Sequence, residues 1–360
     1  MNYIGSKYSL LPEIQRLLDT HNVPTDGIAL DLFAGTGTVA QFLKQRGYIT
    51  YANDWQHYSY ITCTAIIEHN KLPRFETLLN NEQFQPSSRH PAIQVLHYLN
   101  QLPGKTGAFY DSYCEGGNCG RLYFSEHNGK RIQTIRDQIE LWNTEQKITP
   151  KEKAWLVASL IEGADKVANT ASIYGAYLKR IKRSAQKPLY LHILKHENSA
   201  HNEDQHRAFC QSSETLLKDL HQTHIQLIYM DPPYNARQYN ANYHILETLA
   251  RWDMKDFQPR GVTGLRNKGE NKSDYCSKTN AKNAFERTFQ LINAEYVLFS
   301  YNNEGLLSKE ELTELFQNRC ESTHIEEIPY KRFRADNDGD NRIYKGDDTV
   351  EYLILGKLKK

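Results

Sequence analysis

Residues 28–40 read "IALDLFAGTGTVA", a short apolar run that ends near an acid and breaks into a turn carrying two glycines. The run 28–33 suits a buried strand. The turn after it needs Gly35 and Gly37, because a ligand approaches a backbone closely only where no side chain intervenes. Residues 38–47, "TVAQFLKQRG", then show helical spacing, with Val39, Phe42 and Leu43 on one face and Gly47 as the stop. A second strand, "YITYAND" (48–54), closes on Asp54. Strand, glycine turn, helix, strand and terminal acid predict half of a doubly wound α/β sheet.

Farther out, the pattern stops near residue 66 and resumes near 206. Strands are predicted in "HRAFCQSS" (206–213), "HIQLIYM" (224–230), "AEYVLFS" (294–300) and "TVEYLILGK" (349–357), with "THIEEIPYKRF" (323–333) as partner of the last. Between 67 and 205 the text changes. "GKRIQTIRDQIELWN" and "KEKAWLVASLIEGADKVANT" have helical periodicity and few strand signals. The predicted organisation is a catalytic part, 1–66 with 206–360, and a helical insertion, 67–205. A polar, glycine-bearing piece at 251–282 is too long for a simple connection and reads as a functional or mobile loop.

Composition sets outer bounds. A chain of 360 residues accommodates about two domains, or one with an insertion. A net charge of +1 neither argues for nor excludes a nucleic-acid partner, because binding depends on where basic residues cluster. The six cysteines follow no repeated short spacing, and Cys114 with Cys119 lacks a second matching pair; free thiols are expected, and no metal site. No run approaches the roughly 18 apolar residues of a membrane span. A soluble, cytoplasmic protein is expected.

Two chemistries fit the first half. Gly35, Gly37 and Ala40 satisfy the dinucleotide pattern G-x-G-x-x-A, whereas Asp31, just before the turn, sets a carboxylate where a cationic aminoacyl group would sit. That favours a sulfonium amino acid, S-adenosylmethionine, over a pyrophosphate. Asp54 is placed to accept from ribose hydroxyls. Residues 227–239, "LIYMDPPYNARQY", add the second motif. Pro232 and Pro233 fix the backbone and leave carbonyls that no helix or ladder claims, Asp231 adds an acceptor, and Tyr234 offers a ring for a planar base. An amine held by acceptors keeps its lone pair directed at an electrophile, so this is a site for methylating an aromatic amine.

With "YIGSK" (3–7), "DLFAGTG" (31–37), Asp54, "DPPY" (231–234) and "SYNNEG" (300–305) in that order, the chain resembles the adenine-specific DNA methyltransferases of restriction-modification systems, in the class with an N-terminal F-x-G-x-K-like motif. The resemblance implies a Rossmann-like, mostly parallel seven-stranded sheet. Tyr3 and Lys7 would lie near the methionine end of the cofactor, and Asp31, Phe33, Gly35 and Gly37 would form its floor. Asp54 would bind the ribose; Asp231 and the Pro232 carbonyl, with Pro233 shaping the turn, would hold the target amino group, and Tyr234 would stack on the flipped adenine. Where the family places an acid for the cofactor's adenine, this chain has "CQSSETLL", leaving Ser213 or Glu214 to stand in.

The insertion matches the family's target-recognition region in position. Its run "LKRIKRSAQK" carries Lys179, Arg180, Lys182, Arg183 and Lys187 with no acid, which suits phosphate neutralisation. Arg121, Arg131 and Asn169 are candidate base readers by chemistry, and Arg237 with Gln238 could meet the displaced strand. The implied partners are double-stranded DNA and, unless the enzyme is a solitary one, a cognate restriction endonuclease on a separate chain, in a bacterial, archaeal or phage setting. Methylation of the cytosine amino group, an RNA substrate, and a non-catalytic DNA-binding subunit of the same fold remain as alternatives.

Overall fold

Seven apolar segments pair into one sheet: β1 (Ile28–Asp31), β2 (Ile49–Asn53), β3 (Arg207–Phe209), β4 (Ile225–Met230), β5 (Ala294–Asn302), β6 (Cys320–Lys331) and β7 (Asp348–Leu358). The order across the sheet is β3-β2-β1-β4-β5-β7-β6. The structure, a computed structural model, describes residues 6–80, 84, 88–195, 199–201, 203–235, 239–266, 272–331 and 348–359. β1 to β5 pair in parallel, whereas β7 runs antiparallel to both β5 and β6. This is the mixed, mainly parallel α/β sheet that the sequence predicts.

Central β4 is buried at every position, as a parallel strand covered on both faces must be. On one face, Ile14, Leu17 and Leu18 of the helix Leu11–Thr20 and Val39, Phe42 and Leu43 of the helix Thr38–Gln45 pack on Ala29, Leu227, Leu298 and Leu353. On the other, Leu216, Phe285 and Phe316, from helices Ser213–Asp219, Ala281–Leu291 and Lys309–Arg319, pack on Leu30, Ile228, Val297 and Phe299. Gly47, at φ 99°, ends the helix Thr38–Gln45 by turning its amide back to the Lys44 carbonyl.

Strand boundaries differ from the sequence reading at several ends; β6, for example, begins at Cys320 rather than Thr323. In "HRAFCQSS" only Arg207–Phe209 pairs, because Ser212 accepts from the Thr215 amide and caps the helix Ser213–Asp219. β1 stops at Asp31, so Leu32 to Ala34 already belong to the glycine turn.

The chain forms two compact units. One holds the sheet, from Gly5–Cys63, Glu197–Tyr239 and Asn271–Lys360; the other takes Thr64–His196 together with Asn240–Glu270. The latter is helical: Glu126–Thr144 begins at a Ser125 cap and Pro150–Lys166 at a Thr149/Glu152 capping box. Segment 240–270, which the sequence pattern leaves with the strands, packs inside this unit. The buried Arg136 guanidinium donates to the carbonyls of Leu249 and Ala250, and the Trp252 indole donates to Asp137. No helix among the described residues is long and apolar enough to cross a membrane.

Candidate active site

Strand order reverses at β1, which has β2 on one side and β4 on the other. The carboxyl ends of β1 and β4 therefore bound the crevice in which doubly wound sheets bind ligands. Asp31 ends β1 and pairs in register with Tyr229, so Asp231 stands two residues beyond its neighbour on β4. After β2, Asp54 turns back on the glycine turn: its Oδ2 accepts the Gly35 amide and its Oδ1 the Gln56 amide, each at 2.9 Å. Gly35 and Gly37 have φ of 52° and 74°, the left-handed region that glycine enters without strain. Buried Asn53 ties the same corner together, donating to the carbonyls of Leu32 and Gln211. Sequence reasoning passed over it as an ordinary strand residue.

Asp31 is almost fully buried, and among the described residues its Oδ1 has no hydrogen-bond partner. Burial, then the nearby negative charges of Asp231 and Asp54, hold its carboxyl well above the usual range, against the amides of Ala40 and Phe33. An orphaned, buried carboxylate oxygen is costly unless a donor meets it. A cationic amino group, such as that of the methionine end of S-adenosylmethionine, is such a donor. The side-chain-free turn at Gly35 and Gly37 leaves room beside it, so the residues present fit that cofactor. Phe33 lines the same corner edge-on to Tyr275, with centroids 5.2 Å apart. Ser213 hydrogen-bonds the Tyr275 hydroxyl at 3.0 Å, and Glu214 pairs with Arg287 at 2.9 Å.

Beyond β4, Pro232 is buried, and among the described residues nothing donates to its carbonyl. The Tyr234 carbonyl accepts the Leu306 amide at 3.0 Å, which fixes the turn against the loop after β5. Its ring is half-buried, edge-on to Tyr301 with centroids 6.2 Å apart. The Lys7 ammonium, only 5% exposed, lies 3.2 Å from Asp231 Oδ1, 2.6 Å from Glu351 Oε1 and 5.9 Å from the Tyr234 ring centre. Burial, opposed by Lys7 and aided by Glu351, pushes the Asp231 carboxyl up to about 7. Burial alone would lower Lys7, but the two carboxylates raise it above its ordinary value.

Glu351 is the buried acid that sequence reasoning missed. It sits within "TVEYLILGK", where a lone acid in an apolar strand was the available signal. Because β7 runs antiparallel to β5, its start meets the end of β5, and Glu351 pairs in register with Asn302. Ser300 donates to Glu351 Oε1 at 2.6 Å, so two residues of or beside "SYNNEG" support the acid.

The other predicted residues divide. Tyr3 and Arg237, with Gln238, lie outside the described residues. Lys179, Arg180 and Arg183 are exposed, whereas the Lys182 ammonium is half-buried and donates to the Thr170 carbonyl at 2.7 Å. None of the three candidate base readers has its polar groups turned outward. Arg121 donates to the carbonyls of Ser112, Gly261 and Val262, Arg131 to those of Asn100 and Leu102, and Asn169 to those of Leu122 and Leu178. All three brace the helical unit from within, and Arg121 fixes the turn closed by the Arg260–Leu265 bridge.

Comparison with known proteins agrees with this geometry. The chain is 39% identical over 358 residues to the Type II methyltransferase M.NlaIII of Neisseria lactamica, covering 99% of this chain and 98% of the relative. It is 35% identical over 349 residues to the modification methylase StsI of Streptococcus sanguinis, and 35% over 341 residues to the Type II methyltransferase M.FokI of Planomicrobium okeanokoites. These matches take 96% and 93% of this chain but 51% and 50% of those relatives, so it spans about half their length. The family described as "D12 class N6 adenine-specific DNA methyltransferase" matches residues 3–315. With paired acids at the strand-order reversal and an Asp-Pro-Pro-Tyr turn after β4, the chain belongs to the D12 class of N6 adenine-specific DNA methyltransferases.

Proposed function

We propose that this chain methylates the exocyclic N6 of an adenine rotated out of duplex DNA, at one recognised sequence, as the modification enzyme of a restriction-modification system. The observation that carries it is the pairing of two unlike acids at the reversal: Asp31, whose Oδ1 meets no donor among the described residues, and Asp231, clamped by Lys7 beside a Pro232 carbonyl that none of them donates to. Asp31, the glycine turn, Phe33 and Lys7 would hold S-adenosylmethionine, with Asp54 fixing the turn and directing its remaining lone pairs to the ribose. When bound, that cofactor supplies an electrophilic methyl group on a sulfonium sulfur.

The adenine amino nitrogen is a poor nucleophile because its lone pair is delocalised into the ring. Asp231 Oδ2 and the Pro232 carbonyl each accept one of its N–H groups, which draws the lone pair out of conjugation and aims it. Catalysis is thus positioning and electrostatics. The proton released by the amino group has a nearby acceptor in Asp231, whose proton affinity burial has brought close to neutrality. Tyr234 stacks on the extruded base and offsets part of the few kcal/mol that unstacking costs. Lys179, Arg180 and Arg183 of the helical unit neutralise phosphates, and that unit reads the target sequence.

The test is transfer of labelled methyl from S-adenosylmethionine to unmethylated duplex DNA, followed by nucleoside analysis, with Asp231→Ala alongside. Label in N6-methyl-2′-deoxyadenosine that disappears in the variant is expected. Label in a methylcytidine would overturn the base assignment, and an active Asp231→Ala protein would overturn the mechanism.

A further inference from the structure

The described cofactor and base sites do not require an acid on β7, yet Glu351 is 2% exposed and has its charge committed on every side. Its Oε1 accepts from Lys7 at 2.6 Å and from Ser300 at 2.6 Å, and Asn302 Nδ2 lies 3.4 Å from Oε2. A buried carboxylate is expensive unless paired and hydrogen-bonded, and here three side chains, two from β5 and one from the N-terminal segment, serve one. Nothing in the sheet's packing needs this arrangement: Leu353 and Leu355, on the same face of β7, are apolar.

We propose that Glu351 is a positioning residue for methyl transfer, anchoring the Lys7 ammonium so that Lys7 holds Asp231 Oδ1 without drawing it away from the substrate amino group. The proposal rests on the assignment of Asp231 as the amino-group acceptor. Lys7 is shared unequally, 2.6 Å from Glu351 and 3.2 Å from Asp231. The closer acid takes most of the cation's attraction, so Asp231 keeps a defined orientation and an accessible second oxygen. Three elements converge to build the clamp: the N-terminal segment brings Lys7, the end of β4 brings Asp231, and the antiparallel start of β7 brings Glu351.

Among the described residues, the charged and titratable groups facing Asp231 are Lys7, Glu351 across it, Asp31 on β1 and the phenol of Tyr229 on β4, while the Tyr234 phenol faces Lys7. Of these, Lys7 favours the ionised acid, whereas Glu351 disfavours it by like charge. Removing the charge at 351 while keeping its shape leaves Asp231 as the sole carboxylate at the ammonium. Lys7 then pulls Oδ1 in, which both eases ionisation of Asp231 and spoils its aim.

The experiment compares kcat and KM against pH for wild type, Asp231→Ala, Glu351→Gln and Glu351→Asp on the same duplex, with unfolding monitored in parallel. For Glu351→Gln the acid limb of kcat/KM is expected to move down by about one pH unit. Its plateau kcat should fall by roughly tenfold or more while KM for DNA and cofactor stays within about threefold. Glu351→Asp, which keeps the charge on a shorter arm, should keep the limb in place and lose only plateau kcat. A purely structural role would lower the folded fraction without moving the limb. A Glu351→Gln profile superimposable on wild type overturns the proposal. If that variant does not fold, Glu351→Asp with wild-type kcat overturns it instead. Wild-type methylation of adenine with an inactive Asp231→Ala secures the underlying reading independently, so failure of one is told apart from failure of the other.

Discussion

The Lys7 ammonium stands 3.2 Å from Asp231 Oδ1, with both side chains largely withdrawn from solvent. An acid pushed up to about 7 beside a cation that pulls it down is sensitive to loss of that cation. Lys7→Met should move the acid limb of kcat/KM from near 7 toward higher pH, with activity at neutral pH suffering more than activity at pH 9. A limb that stays put would show that Asp231 does not titrate in the active enzyme.

Stability should follow the same acid with a definite sign. Because the folded state raises the Asp231 carboxyl above its unfolded value, its contribution to stability is fully present below the unfolded value and is lost as pH rises through about 7. Asp231→Asn mimics the neutral form. Its Tm, relative to wild type, should therefore increase from pH 5 to about pH 7 and level off above that, as scanning calorimetry would register, even though the variant is inactive. A Tm difference independent of pH would contradict the shift.

At the cofactor end, Asp31→Asn removes the negative charge but keeps the shape. A charge-assisted hydrogen bond contributes about 1.5–3 kcal/mol, so S-adenosylmethionine affinity, measured by titration calorimetry without DNA, should fall by about ten- to a hundredfold. Unchanged affinity would mean that the orphaned Asp31 oxygen meets something other than the cofactor.

For base capture, Tyr234→Ala removes a stacking surface worth about 1–3 kcal/mol. A 2-aminopurine placed at the target position brightens when it leaves the stack. With this variant the brightening should be weaker and kcat lower by about tenfold, while overall affinity for the duplex changes little.

In the helical unit, Arg121→Leu would leave the carbonyls of Ser112, Gly261 and Val262 without their donor. Only the Ser112 bond is buried, and a buried unpaired acceptor costs about 1–3 kcal/mol, so a loss of about that size is expected, with proteolytic cleavage appearing first in residues 259–265. Cleavage elsewhere would assign Arg121 a different role.

Much of this was legible because periodicity and glycine turns are local. The run before "GTG" and the acid behind "LIYM" each announce a strand end by themselves, and parallel strands put their ends on the same edge. What stayed hidden was non-local. Glu351 looks like a solvated strand acid until β7 is known to enter antiparallel, and Asn53 looks like any strand residue until residue 211 arrives beside it. Arg121, Arg131 and Asn169 show the opposite difficulty: the chemistry that reads a base edge also satisfies a backbone carbonyl, and only burial tells the two apart. Segment 240–266 groups with the helical unit through contacts such as the Arg136 guanidinium with the Leu249 carbonyl, which local periodicity does not carry.

β7 follows β6 along the chain yet lies between β6 and β5 in the sheet, and Lys7 and Glu351 are 344 positions apart. The clamp is therefore among the most distant contacts the polypeptide makes, and loop closure of that span must precede it. A folding intermediate in which β1 to β5 have assembled, but β7 has not slotted into place, would already possess the crevice and the Asp-Pro-Pro-Tyr turn. It would lack the counter-charge that steadies its lysine. Competence for methyl transfer then becomes a late event in the folding of the chain, and refolding followed by activity should lag behind refolding followed by helix content.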